Sequence, residues 1–175
     1  MVTKDNKDRL LTSEECHTYL AELNTLRDSL VLDTDPVAAG LDELNSKLAR
    51  IQAARDRCSY IVCQAILNKG MAQKAVNSAT AAYARKASEL VTTSVEVKAL
   101  KSADLRKASV DTQLADDVSM LVKAEESLLT ADTLLRCVTV INKDLEVKND
   151  NLVEQKYTIQ MIMNVHPTTK GEFVN

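Results

Sequence analysis

The sequence predicts an all-α protein built from long helices. Its 175 residues include only three Gly, two Pro, one Phe and no Trp, so the turn residues and aromatics typical of β-sandwiches, barrels and Rossmann sheets are mostly missing. Apolar residues make up 45% of the chain and charged residues 27%, which excludes disorder throughout. We expect the helices to pair into an extended hairpin or a coiled-coil-like bundle and the chain to form an oligomer.

The first helix is predicted at about residues 13–30. Thr12 and Glu15 have the spacing of a capping box, in which each residue satisfies a backbone amide of the other. Four leucines follow at helical intervals: Leu20, Leu23, Leu26 and Leu30. Residues 1–11 are polar and are expected to fray. We assign residues 1–35 to an acidic N-terminal extension with one helix.

The second helix is predicted from Pro36 to about Leu90. Asp35 is a candidate N-cap, and proline suits the first helical position. From Leu41 onward, Gly70 is the only helix breaker in this helix and therefore a possible weak point. Its seam residues follow in alternating steps of three and four: Leu41, Leu44, Leu48, Ile51, Arg55, Cys58, Val62 and Ala65. Residues 36–165 are predicted to form one helical domain.

A junction rich in β-branched and capping residues follows at residues 91–94. A short basic helix is expected at residues 95–108. Asp111 or Thr112 is expected to cap the last long helix. Residues 166–175 are predicted to be a flexible tail.

Two heptad series run through the last helix. The first is predicted to hold the oligomer together: Leu114, Leu121, Leu128 and Leu135. The second lies beside it: Ala124, Ala131, Val138, Leu145, Leu152 and Ile159. Asn142 and Asn149 continue the first series. Polar residues at such positions either fix the register of the assembly or mark the end of the seam.

The sequence contains no motif typical of an enzyme active site or of a metal-binding site. It contains no nucleophile elbow, phosphate-binding loop, dinucleotide fingerprint or metal-ligand spacing, so no catalytic residue, metal or cofactor is assigned. No apolar run reaches transmembrane length, and a cytoplasmic protein without membrane contact is expected. The cysteines have irregular spacing and are expected to be free, buried thiols: Cys16, Cys58, Cys63 and Cys137.

Charge is strongly segregated along the chain. Residues 47–110 contain twelve Lys or Arg against four Asp or Glu, a net of +8, whereas residues 1–46 carry −6 and residues 111–175 carry −5. A segregated basic segment is the electrostatic footprint of phosphate binding. The same charges would also suit a solvated helix face or pairing with the acidic last helix. With only Tyr60 and Tyr83 as aromatics, nucleic-acid contact would be mainly to phosphates.

The region from the second helix to the last resembles a known family. Glu96-Val97-Lys98, then Ser102-Ala103-Asp104 and Val110-Asp111-Thr112-Gln113-Leu114, resemble a succession in the UvsY-like recombination mediators of tailed phages. Ala72-Gln73-Lys74 with Val76 is similar to the family upstream. The resemblance covers roughly residues 40–160. Where the family has a basic Lys-Ala-Arg motif, this chain has Ala79-Thr80-Ala81.

The resemblance implies a non-enzymatic, all-helical homo-oligomer, a ring, that binds single-stranded DNA. Such a mediator helps a RecA-like recombinase displace the single-strand-binding protein, here in the cytoplasm of an infected bacterium. The candidate DNA-binding residues are Lys74, Arg85, Lys86, Lys98, Lys101, Arg106 and Lys107. The alternative is a phage structural or assembly protein, or a coiled-coil interaction adaptor, that uses the same seams without DNA.

Overall fold

The computed structural model describes residues 9–32 and 36–165, which form five α-helices and no strand. The all-α class with long helices is confirmed, since the second and last helices span 58 and 51 residues. The helices are α1 (Ser13–Asp28), α2 (Pro36–Thr93), α3 (Val95–Ala99), α4 (Ala103–Gln113) and α5 (Ala115–Val165). Oligomerisation remains a prediction. No described helix is long and apolar enough to cross a lipid bilayer.

The start of α1 has the predicted capping box. Thr12 Oγ1 accepts a hydrogen bond from the Glu15 amide at 3.2 Å, and Glu15 Oε2 accepts one from the Thr12 amide at 2.8 Å. Residues 9–11, which the sequence predicted to fray, are held in place. The Arg9 guanidinium bonds both Glu15 carboxylate oxygens, at 3.0 and 2.5 Å, and the Leu11 amide donates to Asn68 Oδ1 at 2.8 Å.

The break in α2 is at a different glycine from the one predicted. Gly40 has φ 78° and ψ 168°, a non-helical conformation that glycine adopts without a Cβ penalty. Gly70 is helical and interrupts nothing. Ala65 and Ala72 on either side of it are fully buried, and helix packing outweighs the cost of about 1 kcal/mol for an interior glycine.

The predicted basic helix at 95–108 is two helices, α3 and α4. Ser94 caps α3 by accepting from the Val97 amide at 3.3 Å, and Ser102 caps α4 by accepting from the Asp104 amide at 3.2 Å. Neither Asp111 nor Thr112 caps the last helix, because α4 continues to Gln113. Ser102, two residues after Leu100, is the N-cap at which the new helix α4 begins.

The described residues fall into two compact units that each contain part of α2 and part of α5. We call residues 9–16 and 64–135 unit 1, and residues 17–32, 36–63 and 136–165 unit 2. Each unit therefore combines segments from the predicted extension and the predicted helical domain.

Unit 2 packs segments of α1, α2 and α5 around a core of large aliphatic side chains. Cross-helix contacts run in opposite chain directions for α2 and α5, where Cys58 Sγ lies 3.8 Å from Val138 O and Arg55 lies 4.0 Å from Glu146. The fully buried residues are Leu23, Leu44, Ile51, Cys58, Ile61, Val138 and Leu145. The end of α1 is held by Lys148, whose ammonium donates to the carbonyl oxygens of residues 27 and 30 at 2.8 and 3.1 Å.

Unit 1 pairs the second part of α2 with the first part of α5, and α3 and α4 join them. Lys69 lies 2.5 Å from Asp132, and Lys86 lies 2.6 Å from Asp117, so these helix segments also run antiparallel. Its buried side chains are smaller than those of unit 2. They are Cys16, Ala65, Asn68, Ala72, Val97, Val110, Ala131 and Leu134.

Three sequence predictions lie outside the described residues: fraying of residues 1–8, the Asp35 cap, and the flexible tail at 166–175.

Candidate nucleic-acid interface

All seven predicted DNA-binding residues lie in unit 1. They are spread over the second part of α2, over α3 and α4, and over the loop between these two short helices. On α2 are Lys74, Arg85 and Lys86; on α3 is Lys98; in the loop is Lys101; on α4 are Arg106 and Lys107. The sequence prediction thus groups residues that the fold also places in one compact unit.

Local packing fixes the backbone that carries Lys98 and Lys101. Val97 in α3 is fully buried, and Val110 in α4 is 3% exposed, so each short helix is anchored by one apolar side chain. Arg106 Nε donates to the Leu100 carbonyl at 2.7 Å and bridges the two helices. This carbonyl contact uses one donor of a five-donor guanidinium. Arg106 therefore positions the loop and still presents cationic surface.

Two contacts hold the end of α2 against the elements that follow it. The Tyr83 hydroxyl donates to the Asp111 carboxylate, and this bond raises the pKa of Tyr83. The Lys86 ammonium bonds both carboxylate oxygens of Asp117, at 2.6 and 2.9 Å. Lys86 is thus paired within the chain, which makes it a weaker candidate for DNA contact than the sequence suggested.

Five of the predicted cations are exposed, and their side chains make no ion pair or hydrogen bond to any residue that the structure describes: Lys74, Arg85, Lys98, Lys101 and Lys107. Three carboxylates, Glu89, Glu96 and Asp104, also lie between residues 85 and 107, against six Lys or Arg. The local net charge of +3 is smaller than the +8 of the longer segment. The exposed cations remain able to meet phosphate oxygens.

The rest of the basic segment is largely paired with acidic residues of the same chain. Lys69 pairs with Asp132 of α5, and Arg55 approaches Glu146 of α5. Lys47 lies 3.1 Å from Glu43 one turn away. The open alternative of pairing with the acidic last helix therefore holds for Arg55, Lys69 and Lys86. The candidate cations without such a pair to a described residue lie in the second part of α2, on α3 and α4, and in the loop between those two short helices.

Arg57 of α2 contacts three side chains of unit 2. Its guanidinium makes two bonds, of 2.6 and 2.8 Å, to the Glu22 carboxylate of α1 and lies over the rings of Tyr19 and Tyr60 at 5.8 and 5.3 Å. The bond to Arg57 lowers the pKa of Glu22, and Glu22 in turn raises the pKa of Arg57. The acidic extension thus docks on a basic residue of unit 2 through α1.

The predicted oligomerisation residues are half-buried within the single chain. Leu114 caps the C-terminus of α4, whereas Leu121, Leu128 and Leu135 lie on α5. The fully buried stripe of α5 is mostly the second heptad series, including Ala131, Val138, Leu145, Leu152 and Ile159. The first series therefore flanks the core and keeps surface for further contacts. Asn142 and Asn149 are also half-buried.

Asn68 is a buried polar residue that the sequence reasoning missed. It is 3% exposed, and its side-chain oxygen holds the chain just before α1. A signal was present, because Asn68 follows Ile61 by seven residues and Ala54 by fourteen, both of them buried. The Leu11 partner, 57 residues away, has no such signal in the sequence.

Each of the four cysteines is a free thiol, but only Cys16 and Cys58 are buried. Burial raises the pKa of both, and the prediction of burial was wrong for the exposed Cys63 and the half-buried Cys137. Among the described residues, no three His, Cys, Asp or Glu side chains lie together in a way that could hold a metal ion.

Comparison with known proteins gives no relative: no protein-family model, no curated protein and no solved structure matches this chain.

Proposed function

We propose that this chain is a non-enzymatic recombination mediator that binds single-stranded DNA. In this proposal it promotes the loading of a RecA-like recombinase in place of single-strand-binding protein, in the cytoplasm of a phage-infected bacterium. The observation that carries the proposal is the set of five exposed cations in unit 1 that have no partner among the described residues. The resemblance of residues 96–114 to the mediator family supplies the biological role.

The mode of binding follows from the side chains present. Lys and Arg contact phosphates irrespective of base sequence. Arg106 adds a sixth cation, since the one hydrogen bond of its side chain to a described residue is to a backbone carbonyl. Each phosphate neutralised on a single strand contributes roughly −0.7 to the slope of log affinity against log salt, so six contacts per protomer give about −4. Affinity should then fall by roughly a few hundred-fold between 50 and 200 mM salt.

A salt titration with a labelled oligothymidine tests this proposal. Lys98→Ala with Lys101→Ala should flatten the slope by about 1.4 and weaken binding to every sequence equally. The matched control, Lys143→Ala with Lys156→Ala, removes the same charge from unit 2 and should leave the slope unchanged. Equal slopes for the two double variants would contradict the assignment of the site.

The mediator role needs a second assay. Wild-type protein should shorten the lag before a RecA-like recombinase hydrolyses ATP on DNA coated with single-strand-binding protein, and the Lys98, Lys101 variant should not.

The second candidate is a structural or adaptor protein that does not bind DNA. The observation in its favour is the internal pairing of Arg57, Lys69 and Lys86 with acidic residues. Absence of binding at about 20 mM salt, where six phosphate contacts would be strongest, would favour this candidate.

A further inference from the structure

One face of unit 1 has an open groove between α2 and α5. The groove has a volume of about 350 Å³ and is lined by Lys69 and Gln73 of α2 and by Glu125, Leu128, Leu129 and Asp132 of α5. Ile66, one turn before Lys69, extends the α2 side. Ile66 is 53% exposed and Leu129 is 69% exposed. We call this surface the groove face.

Unit 1 buries fewer large apolar side chains than unit 2 does. In unit 2, α1 lies against α2 and α5, so that Leu23 and Leu30 complete the core. Unit 1 includes only residues 13–16 of α1, and most of its buried side chains are Ala and Val. At the groove face no described helix covers α2 and α5, so one face of each seam is left in water. Such a face is a usual reason for association between copies.

The two helices that border the groove face have opposite charge. Between Arg57 and Glu89, α2 has no Asp or Glu, and its unit 1 part carries Lys69, Lys74, Arg85 and Lys86. The facing part of α5 has a single cation, Lys123, against five carboxylates: Asp116, Asp117, Glu125, Glu126 and Asp132. Contact between two α2 edges would bring like charges together, whereas contact between α2 and another α5 would bring opposite charges together.

We infer that the groove face binds the same face of a second copy, with α2 of each copy beside α5 of the other. A two-fold axis parallel to the helices produces this arrangement, and all neighbouring helices are then antiparallel. In this arrangement Lys69 of one copy lies level with Asp132 of the other, and Lys74 lies nearly level with Glu126. Leu128 and Leu129 of both copies fill the groove and complete a four-helix bundle.

This symmetry has a consequence for the rest of unit 1. Both copies present α3 and α4 at the same end of the four-helix bundle, so the exposed cations Lys98, Lys101 and Lys107 are doubled there. The pairing itself needs no DNA and would stand if single-strand binding failed.

Sedimentation measurements on the full chain test whether the groove face is the interface between two copies. At about 100 µM, wild type should sediment as a dimer or a multiple of it. Leu129→Glu should raise the dimer dissociation constant by about 100-fold or more, because it buries two carboxylates in the groove. Val140→Glu is the matched control, since Val140 is 67% exposed on α5 in unit 2. A monomeric wild type, or equal effects of the two variants at unchanged helicity, would overturn the inference.

Charge reversal tests whether α2 of one copy lies beside α5 of the other. Glu125→Lys with Glu126→Lys makes the α5 edge basic, and Gln73→Glu with Lys74→Glu makes the α2 edge acidic. Each double variant should dissociate by itself, and an equimolar mixture should form a heterodimer, because each altered edge then meets an edge of opposite charge. A mixture that stays monomeric, or double variants that each dimerise like wild type, would show that α2 does not lie beside the second copy's α5.

Discussion

The capping box at the start of α1 makes a quantitative prediction about pH and stability. Bonds from Arg9 and from the Thr12 amide lower the pKa of Glu15 from 4.5 to about 2. This folded-state pKa lies below the unfolded value. The contribution to stability is therefore complete above about pH 5 and is lost as pH falls through 4.5 toward 2.

The linkage between protonation and folding sets an upper limit on what this pKa shift contributes to the free energy of unfolding. A shift of 2.5 units corresponds to about 3.4 kcal/mol of unfolding free energy. Arg9 and Glu15 side chains are 48% and 31% exposed, so solvent screening reduces the contribution to about 1 kcal/mol. The Glu15→Gln variant keeps a carbonyl acceptor for the Thr12 amide but has no charge to titrate. It should be about 1 kcal/mol less stable at pH 7, a change in Tm of roughly 2–4 °C.

The assay is thermal unfolding followed by circular dichroism at pH 7, 5, 4 and 3. The difference between wild type and Glu15→Gln should shrink to less than about half of its pH 7 value at pH 3. Glu154→Gln removes an exposed carboxylate of α5 and serves as the control for loss of charge alone. A difference that is the same at pH 3 and pH 7 would refute the reasoning, because an uncharged contact does not titrate.

Three further outcomes are expected. Asn68→Leu should cost about 1–3 kcal/mol of unfolding free energy, since it leaves a backbone amide without its acceptor; a variant as stable as wild type in urea titration would contradict this. Leu145→Ala should cost about 2–5 kcal/mol, because Leu145 is fully buried, and a loss below 1 kcal/mol would argue against this core. In native protein, a thiol reagent should modify Cys63 quickly and Cys16 and Cys58 only after unfolding; fast reaction of all three would exclude the packing described.

Helix identity and most helix starts could be predicted from the sequence. The capping box at Thr12 and the heptad spacing along α2 and α5 are local patterns, and local patterns are what a single sequence records. The positions of the helix breaks were harder to predict from the sequence. Gly40 and Gly70 look equivalent in sequence, but flanking alanines pack Gly70 into a helix whereas Gly40 takes a positive φ.

The basic residues of the candidate interface could be predicted from the sequence, but their ion-pair partners could not. The charge segregation located the basic segment, and Lys98 and Lys101 are exposed as expected. Which cations are neutralised depends on the register between α2 and α5, which sets Lys69 opposite Asp132 and Lys86 opposite Asp117. Those partners are 63 and 31 residues apart, and composition alone contains no information about that register.

The contacts at the end of α1 determine how the chain can be shortened. Lys148 and Arg50 donate to the carbonyl groups of residues 27, 29 and 30, in the last turn of that helix and just after it, where the partial negative charge of the helix dipole is concentrated. A fragment that begins at residue 36 would lose these acceptors together with Leu23, leaving a half-buried ammonium group beside uncovered aliphatic side chains. Deletion of the acidic N-terminal segment would therefore perturb the folding of residues 136–165, and loss of activity in such a fragment would not identify α1 as a binding element.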